Sequence, residues 1–156
     1  MDIIYGTIKL EKTPKLFNKL QLELTKKYPI IKISEPIRVK SSRKNYYEAI
    51  NKYSIIIYEV ISSAIKQSRI FIHLWISNIE IVNNVITRSD TWIDYYPPIP
   101  PPKSGTHRYY YSLYRQNKLT RNIVNRTREF TIQGFKNSIL SLGLLEVSTK
   151  SFVYIS

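Results

Sequence analysis

Two apolar runs set narrow limits on what this chain can fold into: KYSIIIYEVI (52–61) and RIFIHLWISNI (69–79). A strand with one wet face alternates apolar and polar residues, whereas these runs are almost continuously apolar and rich in β-branched and aromatic side chains. Both therefore belong in the centre of a sheet that is covered on its two faces. RYYYSLYRQ (108–116) reads as a third strand, because its aromatic side chains favour a pleated surface.

The flanks add to this frame. DIIYGTIKL (2–10) reads as one strand. TPKLFNKLQLELTKKYP (13–29) carries two patterns, a helical turn after Thr13-Pro14 and a strand-like alternation in LQLEL, and both remain open. IIKISEPIRVKSS reads as extended pieces broken by Pro29 and Pro36. Near the end, Phe130, Phe135, Ile139 and Leu142 fall at helical spacing, with Thr127 as the N-cap and Gly143 as the C-terminal cap. EVSTKSFVYIS then closes the chain as a strand. Strands first and a helix late predict a mainly β fold in a single domain spanning residues 1–156.

Charge and composition narrow the function. Lys and Arg total 24 against 11 acidic residues, a formal charge of +13, which implies attraction to an anionic partner such as nucleic acid, an anionic membrane surface or an acidic protein. Heavy use of Ile, Lys, Asn and Tyr is what AT-rich coding produces, and it raises the lysine content independently of function. The chain has no cysteine, so disulfides, thiol catalysis and cysteine-bound zinc are excluded. No apolar stretch approaches the ~18 residues of a membrane span. The opening MDIIYGTIKLEK lacks the basic flank and apolar run of a secretory signal, and a cytoplasmic protein is expected.

DYYPPIPPPKSGTHRYYYSLYRQ (94–116) concentrates the chemistry. Five prolines in six residues precede a glycine turn and one of the chain's two histidines. Prolines fix φ and lower the entropy lost when a loop is ordered, so the run reads as the rigid rim of a pocket. Alternation along a strand places His107, Tyr109 and Tyr111 on one face and, in the second apolar run, groups Phe71, His73 and Trp75. If the two strands are neighbours, both imidazoles face one cavity with aromatic walls. Such convergent polar groups in an apolar hollow suit a small anion or headgroup.

These residues resemble the signature of the phosphatidylethanolamine-binding protein family: a proline pair, a glycine turn, and His-Arg-Tyr leading a strand that ends near Tyr-x-Gln. Here it is carried by Pro101, Pro102, Gly105, His107, Arg108, Tyr109, Tyr114 and Gln116. FIHLWISN is similar to the family's second histidine strand through His73 and Asn78, with Phe71 where tryptophan is usual, and REFTIQGF is similar to its Arg-x-x-Phe…Phe helix. The likeness covers roughly residues 52–145. It implies a large antiparallel sheet packed on a smaller one with a C-terminal helix, and a pocket lined by His73, His107, Tyr109, Glu59, Phe71, Pro101 and Gly105. The family's Asp-Pro-Asp-x-Pro motif has decayed: Glu59 stands at its first aspartate, and the second aspartate and both prolines are missing.

The resemblance implies a non-enzymatic binding protein without cofactor or metal, whose ligand is an anionic headgroup or a phosphate-bearing small molecule and which acts through lipid or protein partners. No nucleophile–base–orienter set is legible in the sequence. The trimmed length and AT-rich usage suit a homologue from a large DNA virus of the poxvirus type, cytoplasmic or virion-associated. A second reading starts from RQNKLTRNIVNRTR (115–128), where Arg115, Lys118, Arg121, Arg126 and Arg128 form a basic stretch suited to phosphate backbones. It makes the chain a structural or RNA-binding component of a ribonucleoprotein, like the mitochondrial large-subunit ribosomal protein that is similar to this family.

Overall fold

A computed structural model describes residues 1–33, 52–62, 67–121 and 127–156. The extended segment expected around Pro36, Ser63 of the decayed motif, and Arg126 lie outside the described residues.

The two apolar runs pair antiparallel as β5 (Lys52–Ile61) and β6 (Arg69–Val82). The tyrosine-rich strand β8 (Thr106–Gln116) lies on the other side of β5, and β10 (Leu144–Ile155) lies beyond it. With β3 (Lys15–Phe17), β7 (Val85–Ile93) and β9 (Glu129–Thr131) they form a large sheet ordered β3-β10-β8-β5-β6-β7, with β9 paired to β6. The β3–β10 pair is parallel and the others are antiparallel. A small sheet, β2-β1-β4, is built from β1 (Asp2–Tyr5), β2 (Ile8–Lys9) and β4 (Ile30–Lys32). The core between the sheets includes Ile3, Tyr5, Leu10, Ile55, Ile57, Leu74, Tyr111 and Phe152. The opposite face of the large sheet packs Ile56, Ile72, Trp75 and Trp92 against Phe135 of α2 (Ile132–Ser141). Both faces of β5 are thus dry, as continuous apolar character requires.

Local chemistry corrects several expectations. DIIYGTIKL is a hairpin rather than one strand, because Gly6 takes φ +57° and turns the chain. In the ambiguous segment the strand comes first: β3 precedes α1 (Lys19–Leu24), whose N-cap Asn18 forms a capping box with Gln21. The C-terminal helix is capped by Thr131, which accepts from the Gly134 amide at 3.0 Å, and not by Thr127. Residues from Glu129 to Thr131 are drawn instead into β9, whose Phe130 pairs with Ile70. Gly143 does end the helix, at φ +65°. Strand β7 carries an exposed polar run, Thr87 to Thr91, between apolar ends, so it shows neither a continuous apolar run nor an alternation.

Candidate functional site

Strand β5 ends where β6 and β8 begin, and there the large sheet opens into a cavity of about 330 Å³. Its walls include Glu59 from β5, Phe71 and His73 from β6, and His107 from β8, with Tyr96 and Pro101 from the proline-rich connection. Of the proline-rich run, Ile99, Pro100 and Pro101 line the cavity and form part of its rim.

Register explains why these side chains meet. Glu59 pairs with Phe71 on one side and Tyr109 on the other. A register shift sits beside them: Tyr58 pairs with Ile72 and Ile57 with Leu74, which leaves His73 as the extra residue of a bulge. Leu74 consequently joins the core between the sheets, and Trp75 joins the helix-side core. The expected grouping of Phe71, His73 and Trp75 holds only for the first two. A second irregularity lies at Asn78, whose φ is +53°. Its amide N–H donates to Gln116 Oε1 at 2.7 Å, and Gln116 Nε2 donates to Asn78 Oδ1 at 2.9 Å. These two signature residues lock β6 to β8 and do not line the pocket.

Glu59 is the hinge of the site. One carboxylate oxygen is hydrogen-bonded to His107 Nδ1, and the other lies 3.6 Å from His73 Nε2. All three side chains are buried, His73 to 2% exposure. His73 donates from Nδ1 to the Tyr96 carbonyl at 2.7 Å, and the Tyr96 amide returns a bond of the same length to the His73 carbonyl. The rim is thereby tied to β6. His73 Nε2 and Tyr109 Oη are buried atoms without a hydrogen-bond partner among the described residues. Such groups cost about 1–3 kcal/mol each unless something satisfies them, and they mark where a ligand would be useful. The Tyr109 ring lies behind the cavity, 5.3 Å from the His73 ring and stacked at 6.3 Å on His107. Burial, then the Glu59 charge, pushes its phenol far up and keeps it neutral.

Of the expected site residues, Glu59, Phe71, His73, Pro101 and His107 line the cavity. Tyr109 supports it, and Gly105, at φ +91°, shapes the turn before His107 without lining it. Arg115, Lys118 and Arg121 are exposed on and after the end of β8. Arg128 does not share their surface: it donates to the Ile72 carbonyl at 3.1 Å and lies 5.6 Å over the Tyr96 ring, bracing the pocket wall. Ser104 was missed by the sequence reading. Its hydroxyl lies 2.7 Å from His107 Nε2. Among the described residues no group of three or more acidic or histidine side chains is arranged to hold a metal ion.

The class defined by this fold and site is a two-sheet β domain with a small-molecule-sized pocket at its strand ends. The chain belongs to the phosphatidylethanolamine-binding protein family, whose model matches residues 44–149. Its fold is similar to that of a carboxypeptidase Y inhibitor solved in complex with the cognate proteinase, at 18% identity and TM-score 0.67, covering 98% of this chain and 81% of that one. Phosphatidylethanolamine-binding proteins from Plasmodium vivax and Plasmodium falciparum align at 16% identity with TM-scores of 0.64 and 0.60, each covering 98% of this chain and 83% of theirs. No curated protein sequence matches.

Proposed function

We propose that the chain is a non-enzymatic binding protein whose pocket holds a phosphate-bearing headgroup or small anion. The observation that carries this reading is the buried pair of imidazoles about one carboxylate, with His73 Nε2 unpartnered at the cavity wall. An imidazole donates to phosphate oxygens when protonated, and the rings of Phe71 and Tyr96 line the same cavity. The zwitterionic ethanolamine phosphate suits a site that offers both imidazole and carboxylate. Calorimetric titration with inorganic phosphate and glycerophosphoethanolamine tests the reading. Saturable binding that weakens at least tenfold in His73→Gln is expected, and equal heats from wild type and variant would remove it.

Acting through a protein partner is part of the same reading, supported by the fold-related inhibitor solved with its proteinase. We place the protein in the cytoplasm. Its residue usage supports a large DNA virus as the source. The ribonucleoprotein alternative draws on exposed Arg115, Lys118 and Arg121. It requires RNA affinity that falls steeply with salt and vanishes on charge reversal at these three positions.

A further inference from the structure

We propose that Ser104 is an activated nucleophile, primed by His107 and Glu59 to take the acyl group of a reactive carboxylic ester at the mouth of the pocket. This goes beyond headgroup binding and does not rest on it.

The geometry is that of a nucleophile, a base and an orienting acid. Ser104 Oγ lies 2.7 Å from His107 Nε2, while Nδ1 of the same ring is held by the buried Glu59 carboxylate. A carboxylate accepts only, so Nδ1 carries the proton and Nε2 presents its lone pair to the hydroxyl. Glu59 is 7% exposed and His107 9%, so the Glu59–His107 contact is shielded from competing water. Ser104 itself is exposed, as a nucleophile needs to be. It sits on a sharp turn between Lys103 at φ +59° and Gly105 at φ +91°. A non-glycine residue in the left-handed region is strained, and such strain gathers at working sites. The turn is fixed from outside: the Ser104 amide donates to Ser156 Oγ at 2.9 Å, and the Ser156 amide donates to the Gly105 carbonyl at 3.0 Å. The Ser104 hydroxyl also touches the Pro101 carbonyl. It also lies 2.9 Å from Ser156 Oγ. Of these three neighbours the imidazole nitrogen is by far the most basic, and it takes the proton once Oγ bonds to carbon. Beside the turn, Ile61, Phe71, Ile99 and Pro100 give the cavity an apolar wall that suits a short acyl chain.

The step balances without a further reagent. Oγ attacks the ester carbonyl carbon and its proton passes to Nε2, with the imidazolium facing Glu59. The carbon–alkoxy bond then breaks, and the leaving oxygen takes the proton from Nε2. The products are an alcohol and acyl-Ser104. The transfer is stoichiometric, and acyl-Ser104 is its end product.

The test is acylation of the full-length chain by p-nitrophenyl acetate and p-nitrophenyl butyrate, followed by p-nitrophenolate release and by peptide mass spectrometry. One serine, Ser104, should be acylated in a burst of one equivalent. Its rate should exceed that of the urea-unfolded chain about a hundredfold or more, the usual contribution of a positioned base. Ser104→Ala should abolish the burst with an unchanged circular dichroism spectrum, and His107→Gln should slow it by a similar hundredfold. The comparison with the unfolded wild type decides the matter even if His107→Gln fails to fold. Labelling of Ser104 no faster than in the unfolded chain, or no faster than at other serines, overturns the proposal.

Discussion

Glu59 and His107 are 48 residues apart, and the carboxylate of one is hydrogen-bonded to Nδ1 of the other across the β5–β8 pairing. This contact sets the polarity of the pocket. It fixes which nitrogen of His107 faces outward, and it leaves the second Glu59 oxygen for His73 at 3.6 Å. The two oxygens of this one carboxylate thus face two rings.

Removal of that carboxylate strands a buried imidazole. Breaking one side of a buried, hydrogen-bonded pair costs about 3–5 kcal/mol. Glu59→Ala should lose about 3 kcal/mol in urea denaturation, and Glu59→Gln, which keeps an acceptor for Nδ1, should lose less. Equal stability of wild type and Glu59→Ala would show that the pair is not formed.

The Asn78–Gln116 lock should be purely structural. Gln116 also donates to the Lys118 carbonyl and to Thr120 Oγ1, each at 3.1 Å, and it is 1% exposed. Gln116→Ala leaves several buried groups unpaired and should cost about 2–3 kcal/mol. Headgroup affinity of the folded fraction should be unchanged. A selective loss of affinity without loss of stability would place Gln116 in the site instead.

Gly143→Ala should destabilise by at least about 1 kcal/mol, because φ is +65° and an added Cβ would fall 1.9 Å from Asn117 Oδ1. Thermal unfolding of this variant checks the Gly143 turn that joins α2 to β10.

Alkaline pH should unfold the protein through its phenols. Tyr5 and Tyr111 share a 2.8 Å hydrogen bond in the core, and burial pushes both far up. Burial also raises Tyr95, to about 12, from an ordinary value of 10.0. The fold favours the neutral phenol, so the stability from Tyr95 is complete below pH 10 and is lost as pH rises through about 12. Phenolate absorbance should show an early set among the 13 tyrosines and a late set that ionises together with loss of the circular dichroism signal. A single smooth titration with no structural loss would contradict the burial described above.

Much of this was legible in the sequence because the signals were local. β5, β6 and β8 announced themselves through apolar density and aromatic content, and strict alternation put His107, Tyr109 and Tyr111 on one face. Alternation failed at Trp75, since a bulge at His73 reverses the faces and no residue type in FIHLWIS marks it. Strand β7 was silent because an exposed polar run, Thr87 to Thr91, separates its apolar ends. Thr131 displaced Thr127 as the helix cap because β6 offered Phe130 a partner strand, a tertiary effect. Ser104 had a faint signal, a serine three residues before a histidine within one turn, but its meaning depended on Glu59 arriving from another strand.

Imidazole chemical shifts measured while phosphoethanolamine is added test the pocket most directly. His73 and His107 should move together, along one saturable curve, and His73→Gln should remove the response of His107 as well. Two rings that stay unmoved at millimolar ligand, or that follow separate curves, would contradict a shared site.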